Sequence, residues 1–569
     1  MKPDKMRRGS LAALMLLVVV SAVAVPARRV RKTITLRDGT TEEVVLRGDE
    51  RVHFYESADG ATFQGNEEIG FAPIERQDLV DAWQVRMESS RTKMTQRRAL
   101  RKARWGAEAN PIEGKRRGIV LLVNFSDQKM NNAHNQAFYD RYFNEVGFDD
   151  DGMSGSVHDY FYSCSYGKLD LEFDVVGPLT VSKTMSYYGS NDANGNDKYA
   201  ATMVAEAVHQ AIEQGVDFSL YDWDKDGEVE QVFVIYAGRS EAQGAPHYCI
   251  WPHEYSLSEA QETGDGNGVI RTNQVVIDTY ACSSELRGVS GTKVDGIGTA
   301  CHEFSHCMCI PDMYDINYEN YGMDIWDVMD GGSYMDKDGY GYGTCPMGYT
   351  SYERMYCGWL TPQEITDYKE VGALRSLAKW PDAYIIRNKA NRNEYYMLEN
   401  RQREDFFQSC YGHGMMVLHV FYSEQVWGVN EVNTTSGTNS GNRYERMTIV
   451  PANGKKVAYD TSSSSDFAGI FFPGTTGTTA LSNTTTPKAA LYTNNSDGRK
   501  LLNVPISNIA EDNAAGSISF VAGVKPTGIS STCSTAQMDE RTDLLGRRWS
   551  TPPPHGIYVK NAKKYRVKH

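Results

Sequence analysis

Residues 298–315 read GTACHEFSHCMCIPDMYD. Two histidines, His302 and His306, stand four apart, with Glu303 directly after the first. On an α-helix, residues four apart lie about 40° apart around the axis and one turn up. Both imidazoles then project from one side, at a spacing that grips a single Zn2+ at ~2.0–2.1 Å. Glu303 sits one step round, beside such a metal rather than on it, where it can take a proton from water. The GIGTA stretch before the motif and Phe304 within it supply the apolar face that a buried helix requires. Taken alone, the five-residue pattern also arises in unrelated helices whose histidines are merely packed.

The third ligand is the more informative point. Pro311 has no N–H and disfavours helix at Ile310, so the helix is expected to end near Cys309. The chain then turns, and Asp312 can swing back beneath the metal. Ten residues separate it from His302, the spacing of the long His-Glu-x-x-His-x-x-Gly-x-x-His motif with Asp in place of the last His. A carboxylate oxygen at ~2.0–2.2 Å is an acceptable zinc ligand. The competing reading of Asp312 is a cap on the turn after proline.

HEFSHCMCIPDMYD resembles the metzincin clan, and within it the immune inhibitor A-like metallopeptidases. WDVMDGGSY (326–334) resembles that family's Met-turn, which implies that Met329 forms an apolar floor under the zinc. GSVHDYFYSCSYGKLDLEFDVVGPL (155–179), IWPHEYSL (250–257) and EYYMLENRQ (394–402) also resemble family blocks, and the likeness covers roughly residues 32–522. The resemblance implies a zinc endopeptidase made as a zymogen, with zinc on His302, His306 and Asp312 and Glu303 as general base. One departure stands out: the glycine usual after the second His is Cys309 here. Cysteine meets a steric penalty at the positive φ that glycine allows. Seven residues from His302, Cys309 also lies on the ligand face, so its thiolate could reach the metal; packing or pairing elsewhere is the other reading.

DWDKDGEVE (222–230) alternates Asp222, Asp224 and Asp226 before Gly227, with Glu228 and Glu230 beyond. Alternating oxygen ligands around a glycine turn suit Ca2+. An EF-hand would want glutamate at loop position twelve, where Phe233 stands, so a helix–loop–helix is rejected. The resemblance implies a calcium loop; an acidic turn without an ion is the bland alternative. His253 and Tyr334 are candidates to hydrogen-bond substrate or an oxyanion, although each is more often structural.

Working outward, 569 residues are too many for one core, so the chain is expected to be multidomain. Its formal charge of -14 argues against general nucleic-acid binding and fits acidic cation sites. The N-terminus has Lys2, Lys5, Arg7 and Arg8 before an apolar run from Leu11 to Val20, then small residues at Ala22, Ala24 and Ala27. That is the layout of a secretory signal peptide, here 1–24. The run is short of the ~20 residues that span a bilayer. The mature protein is therefore expected to be secreted and extracellular, with no membrane span after cleavage. Export permits disulfides among the ten cysteines, but their irregular spacing also fits buried thiols.

Residues 32–75 alternate in short runs with Asp-Gly turns and read as hairpins, followed by a helix over 76–104. Between Arg86 and Arg117 eleven Lys or Arg face three acids, which reads as a solvated helix face or as exposed processing sites at RRALRKAR and KRR. The expected layout is a pro-segment at 25–115, an α/β (α+β) metzincin-like catalytic domain at 116–375 and a β-sandwich-like domain at 376–525. A tail at 526–569 resembles C-terminal sorting or anchoring segments of surface and secreted bacterial proteins; a plain β-hairpin is equally compatible. Expected partners are protein or peptide substrates; the oligomeric state is open. The rival functional expectation is a catalytically inactive binding or adhesin module on a peptidase scaffold.

Overall fold

The computed structural model describes residues 25–82 and 111–526, apart from 193–194, 290, 338, 438 and 457–461, and in the tail 541–543, 548–549, 556–560 and 563–567. The expected signal peptide and the RRALRKAR stretch lie outside the described residues. Two compact units divide the chain, Met1–Val524 and Lys525–His569.

The first strands are β1 (Arg31–Thr35), β2 (Thr41–Gly48), β3 (His53–Ser57), β4 (Thr62–Asn66) and β5 (Gly70–Pro73), each antiparallel to the next. This is the expected run of hairpins. Period-two alternation buries one face, with Ile34, Val44, Leu46, Tyr55, Phe63 and Phe71 pointing inward. That face shares its cluster with Ala242, Trp251 and Tyr334, far along the chain. A second contact joins Val52, Phe54 and Leu79 to Tyr314 and Ile316. Residues 25–82 thus hold the following block at two places. The helix begins at Arg76, and its course after Ala82 lies outside the described residues.

Strand β6 (Gly114–Asn124) opens the second block, followed by helices α1 (Gln136–Asn144) and α2 (Val157–Cys164) and strand β7 (Leu169–Thr180). Helix α3 (Ala200–Glu213), strands β8 (Val232–Arg239) and β9 (His253–Ser256), helix α4 (Leu257–Thr263), strand β10 (Thr279–Leu286), and helices α5 (Ile297–His306) and α6 (Ser351–Tyr356) complete it. The sheet runs β7-β6-β8-β10-β9, all parallel except the antiparallel edge strand β9. Ile119 to Val123 are fully buried on both faces of β6, as a covered parallel sheet demands. The strand starts before the GIVLLVNFSD run that announced it: Lys115, Arg116 and Arg117 already pair with Asp170, Leu171 and Glu172. The KRR site is therefore sheet, not exposed linker.

The third block is mostly strand, with short helices at Glu424–Gly428 and Ser464–Ala468. A five-stranded sheet contains Gln363–Glu364, β12 (Tyr384–Arg387), β13 (Glu394–Arg401), β14 (Gly414–Phe421) and β15 (Met447–Ile449). A second sheet joins β11 (Lys369–Leu374) to β17 (Ser517–Ala522) and β16 (Ile506–Asp512). Tyr384, Ile386, Tyr396, Leu398, Met415 and Val417 cluster with Ile506, Ile518 and Phe520 of the second sheet. The intervening Ile385, Tyr395, Met397, Met416 and Leu418 belong to the core of the α/β block. Both faces of this sheet are covered, which is why its strands read as near-continuous apolar runs.

In the tail, β18 (Arg541–Asp543), β19 (Arg548–Trp549), β20 (Gly556–Lys560) and β21 (Lys563–Val567) form one antiparallel sheet in the order β19-β18-β20-β21. The hairpin reading fits β20 and β21, to which two further strands are added. All nine described cysteines are buried and none is in a disulfide. The described chain is a mixed α/β, multidomain protein.

Candidate metal centre and active site

Helix α5 is buried along all ten residues. Phe304 packs against Phe161, Phe173 and Trp223, which seats the helix on the sheet. On the other side Gly298 passes so close to Ser333 that an added Cβ would lie 1.8 Å from its carbonyl oxygen. The helix stops at His306, three residues before the expected end, and a tight turn carries the chain to Cys309. Cys309 takes φ +66°, the left-handed conformation for which glycine is the usual choice. Its N–H donates to the carbonyl of His306 at 2.8 Å, closing the turn.

Beyond the turn, Asp312 folds back. His302 Nε2 and His306 Nε2 lie 3.3 Å apart, and Asp312 Oδ1 lies 3.2 Å from the first and 3.4 Å from the second. Ligands at ~2.0–2.1 Å around a tetrahedral ion are separated by roughly 3.3–3.4 Å, so these atoms fit three corners of a zinc site. Asp312 Oδ1 is buried with no hydrogen-bond partner, an atom placed for a cation. The set holds no cysteine, so Cys309 does not share the position. The other ring nitrogens are fixed: His302 Nδ1 on the carbonyl of Val328 at 2.7 Å and His306 Nδ1 on that of Ile310 at 2.8 Å. Each pairing directs Nε2 inward. Burial works against the Asp312 carboxylate, but His306 and His302 outweigh it and hold the group below the ordinary range.

Glu303 is fully buried beside this set. Burial lifts its carboxyl well above the ordinary range; the N–H of Val25 opposes that, and the charges of Asp312, Glu50 and Glu254 add to it. The Val25 N–H donates to Glu303 Oε1 at 2.8 Å, while Oε2 has no hydrogen-bond partner. The main chain at Val25, the first described residue, therefore lies on the candidate base. A buried acid beside three convergent ligand atoms has the composition of a metal-assisted hydrolytic site.

Residues 111–360 match the catalytic domain of immune inhibitor A peptidase M6. The likeness to that domain covers a little under half of the chain. Pre-pro-metalloprotease PrtV of Vibrio cholerae serotype O1 (strain M66-2) is 24% identical over 282 residues, covering 42% of this chain and 29% of the relative. Immune inhibitor A of Bacillus thuringiensis subsp. alesti is 25% identical over 317 residues, covering 48% and 44%. The chain spans less than half the length of these relatives.

Within the matched residues, Met329 is fully buried in the turn after Trp326. Its carbonyl accepts from the N–H of Met313, next to Asp312, while the preceding Val328 holds His302. One turn thus braces two ligands. Arg401, at the end of β13, donates to the carbonyl of Trp326 at 2.8 Å and pairs with Glu399, which explains why EYYMLENRQ accompanies the motif.

One positioning residue escaped the sequence reading. Asn430 Nδ2 donates to Asp312 Oδ2 at 2.6 Å and its Oδ1 accepts from the Asp312 N–H at 2.8 Å. It lies 118 residues downstream, in a region set aside as β-rich, and no local spacing points to it.

The acidic loop brings Asp222, Asp224 and Asp226 within 4.8 Å of one another, but Glu228 and Glu230 do not join them. Glu230 Oε2 instead accepts from the Trp223 N–H at 2.7 Å. His253 Nδ1 faces the carbonyl of Trp251 at 2.7 Å, which makes it the donor, so Nε2 accepts from the Tyr280 hydroxyl at 3.0 Å. Burial holds this neutral ring down to about 4. The hydroxyl of Tyr334 donates to the carbonyl of Pro26 at 3.0 Å, so it reaches main chain lying in the cleft.

Proposed function

We propose that this chain is a zinc-dependent endopeptidase that hydrolyses peptide bonds in extracellular proteins, exported and made as a zymogen. The observation that carries the reading is the triangle of His302, His306 and Asp312 atoms, with Glu303 buried beside it. Those three residues would hold Zn2+, which when bound supplies Lewis acidity to the scissile carbonyl and to water. Glu303 would accept the water's proton at its carboxylate and pass it to the leaving amine nitrogen. The M6 domain is read as metzincin-like, with α5 above the substrate and Asp312 and Met329 below it. Substrate would lie near the edge strand β9, paired through its main chain. The two packed sheets after residue 360 are read as β-sandwich-like.

The zymogen reading rests on what occupies the cleft. No pro-segment side chain joins the metal set among the described residues. Val25 and Pro26 lie across Glu303 and Tyr334 by main-chain contacts, which favours steric cover. Signal cleavage after Ala24 would make the Val25 nitrogen an α-amino group facing Glu303. Among the described residues no helix is long and apolar enough to cross a membrane. Ca2+ is proposed at Asp222, Asp224 and Asp226.

The test compares wild type with Glu303→Ala after trypsin processing, removal of the trypsin and release of the N-terminal fragment in mild urea, for zinc per chain and internal cleavage of casein. Both should bind one zinc, and only wild type should cut. Wild type that binds zinc and cuts nothing would make the scaffold a binding module.

A further inference from the structure

The pro-segment's first residues enter the cleft as an ordered peptide, and their side chains are read as well as their backbone. Val25 N–H donates to Glu303 Oε1, the Val25 carbonyl accepts from Trp251 Nε1 at 3.3 Å, and the Pro26 carbonyl accepts from Tyr334. The N–H of Arg28 donates to the carbonyl of Ala242 at 2.9 Å. The nitrogen placed on the candidate base corresponds to the leaving nitrogen of a cut bond. Val25 to Arg29 therefore stand where the five residues after a scissile bond would lie.

Four of those five side chains meet built surroundings: Ala27 shares the buried cluster of Val25, Arg28 lies over the Tyr342 ring, 4.0 Å from its centre, and Val25 and Arg29 bear on selection. Val25 is fully buried in a cluster with Ala242, Trp251 and Tyr334. Arg29 Nη1 lies 3.1 Å from Asp324 Oδ1, and the side chains are only 14% and 3% exposed. That burial separates the pair from ordinary surface ion pairs, which contribute little. Asp324 is held in place: it sits at φ +48° and its N–H donates to Asp330 Oδ2 at 2.7 Å. It also lines a cavity of about 240 Å³ with Tyr321, Trp326 and Glu445, which leaves room for a long side chain.

We propose that Asp324 is a specificity-determining residue, selecting peptides with a basic residue, arginine above all, at the fifth position after the scissile bond, and that the Trp251–Tyr334–Ala242 surface takes an aliphatic residue at the first. This rests on the endopeptidase reading above. The pro-segment carries the preferred sequence and so competes with substrate for the same contacts.

The experiment uses the full chain processed with trypsin, with the trypsin and the released N-terminal fragment then removed. Quenched peptides carry a single Val after the cut and four residues later Arg, Ala or Glu; mass spectrometry fixes the bond. Wild type should favour Arg over Ala by about tenfold in kcat/KM, the size of one buried charge pairing, and disfavour Glu. Asp324→Asn should bring the Arg-to-Ala ratio in kcat/KM from about ten to about one. The pentapeptide VPARR should inhibit wild type about tenfold better than VPARA, by the same pairing. Should Asp324→Asn fail to fold, the wild-type series still decides, because the Arg advantage must shrink as salt rises. Equal rates on all three peptides overturn the proposal while leaving the endopeptidase reading intact. Failure to cut casein would remove that reading instead.

Discussion

At Cys309 a side chain stands where the backbone asks for none. With φ +66°, any residue but glycine carries a cost of about 1 kcal/mol, and a β-branched one more. Cys309→Gly should leave stability equal or raise it by up to about 1 kcal/mol, and Cys309→Val should lower it by about 2 kcal/mol in urea unfolding, by the same steric argument. Zinc stoichiometry should hold in Cys309→Gly; a loss would mean that the thiol does serve the metal. Asn430 offers a second residue-scale test. Removing its two hydrogen bonds to Asp312 should weaken zinc affinity by about 10- to 100-fold in a chelator competition, with the fold retained by circular dichroism. His302, Glu303, His306 and Asp312 were legible because their relation is local, fixed by helix pitch and one proline. Asn430 was not, because only the tertiary fold brings it across 118 residues.

His253 gives the pH test at the same scale. Its ring stays neutral down to about 4 in the fold but protonates near 6.5 when unfolded. Between those values the unfolded chain binds the extra proton, so stability falls as pH drops. The contribution is fully present above 6.5, and about 3 kcal/mol is lost by pH 4. His253→Gln should unfold with a flatter dependence on pH through that window. Identical slopes for the two proteins would mean that the ring is charged in the fold.

Helix α5 and the Met329 turn act as one element, because Gly298 lets them touch. A methyl there would meet the Ser333 carbonyl at 1.8 Å, and backbone cannot yield as a side-chain tip can. Gly298→Ala should therefore cost about 2 kcal/mol or more and lower the zinc bound per chain, since the displaced turn carries the Val328 carbonyl that orients His302. Strand and helix identities were mostly readable from periodicity. Pairing was less so: KRR looked like linker because its charges suit solvent. In the sheet, Lys115 and Arg117 are exposed and charge-paired, to Asp170 and Asp174. Charge on one face of an edge-near strand is compatible with full backbone pairing. The strands of the third block gave the converse difficulty, since a sheet buried on both faces loses the alternation that marks which side meets which neighbour.

For the molecule as a whole, the proposed zymogen reading makes activation a matter of where the chain opens and what still holds afterwards. Lys115 to Arg117 are tied into β6, so a protease would have to unfold the sheet to cut there. The first tryptic cut is therefore expected within the basic stretch from Arg86 to Arg104, and mass spectrometry of a short digest should find no early product beginning at Gly118. A single cut should not free the cleft. The fragment carrying residues 25–82 still buries Val25, Phe63 and Phe71 with Trp251 and Tyr334, and Phe54 and Leu79 with Tyr314 and Ile316. Each such side chain is worth about 1.5–3 kcal/mol when taken from water, enough in sum to hold a severed piece at working protein concentrations. The nicked protein should elute from gel filtration with its N-terminal fragment attached and remain inactive on casein. Activity should rise only as further cutting or mild urea removes that fragment. Full activity while the fragment co-elutes would mean that Val25 does not block Glu303, and that latency, if present, lies in the covalent link alone.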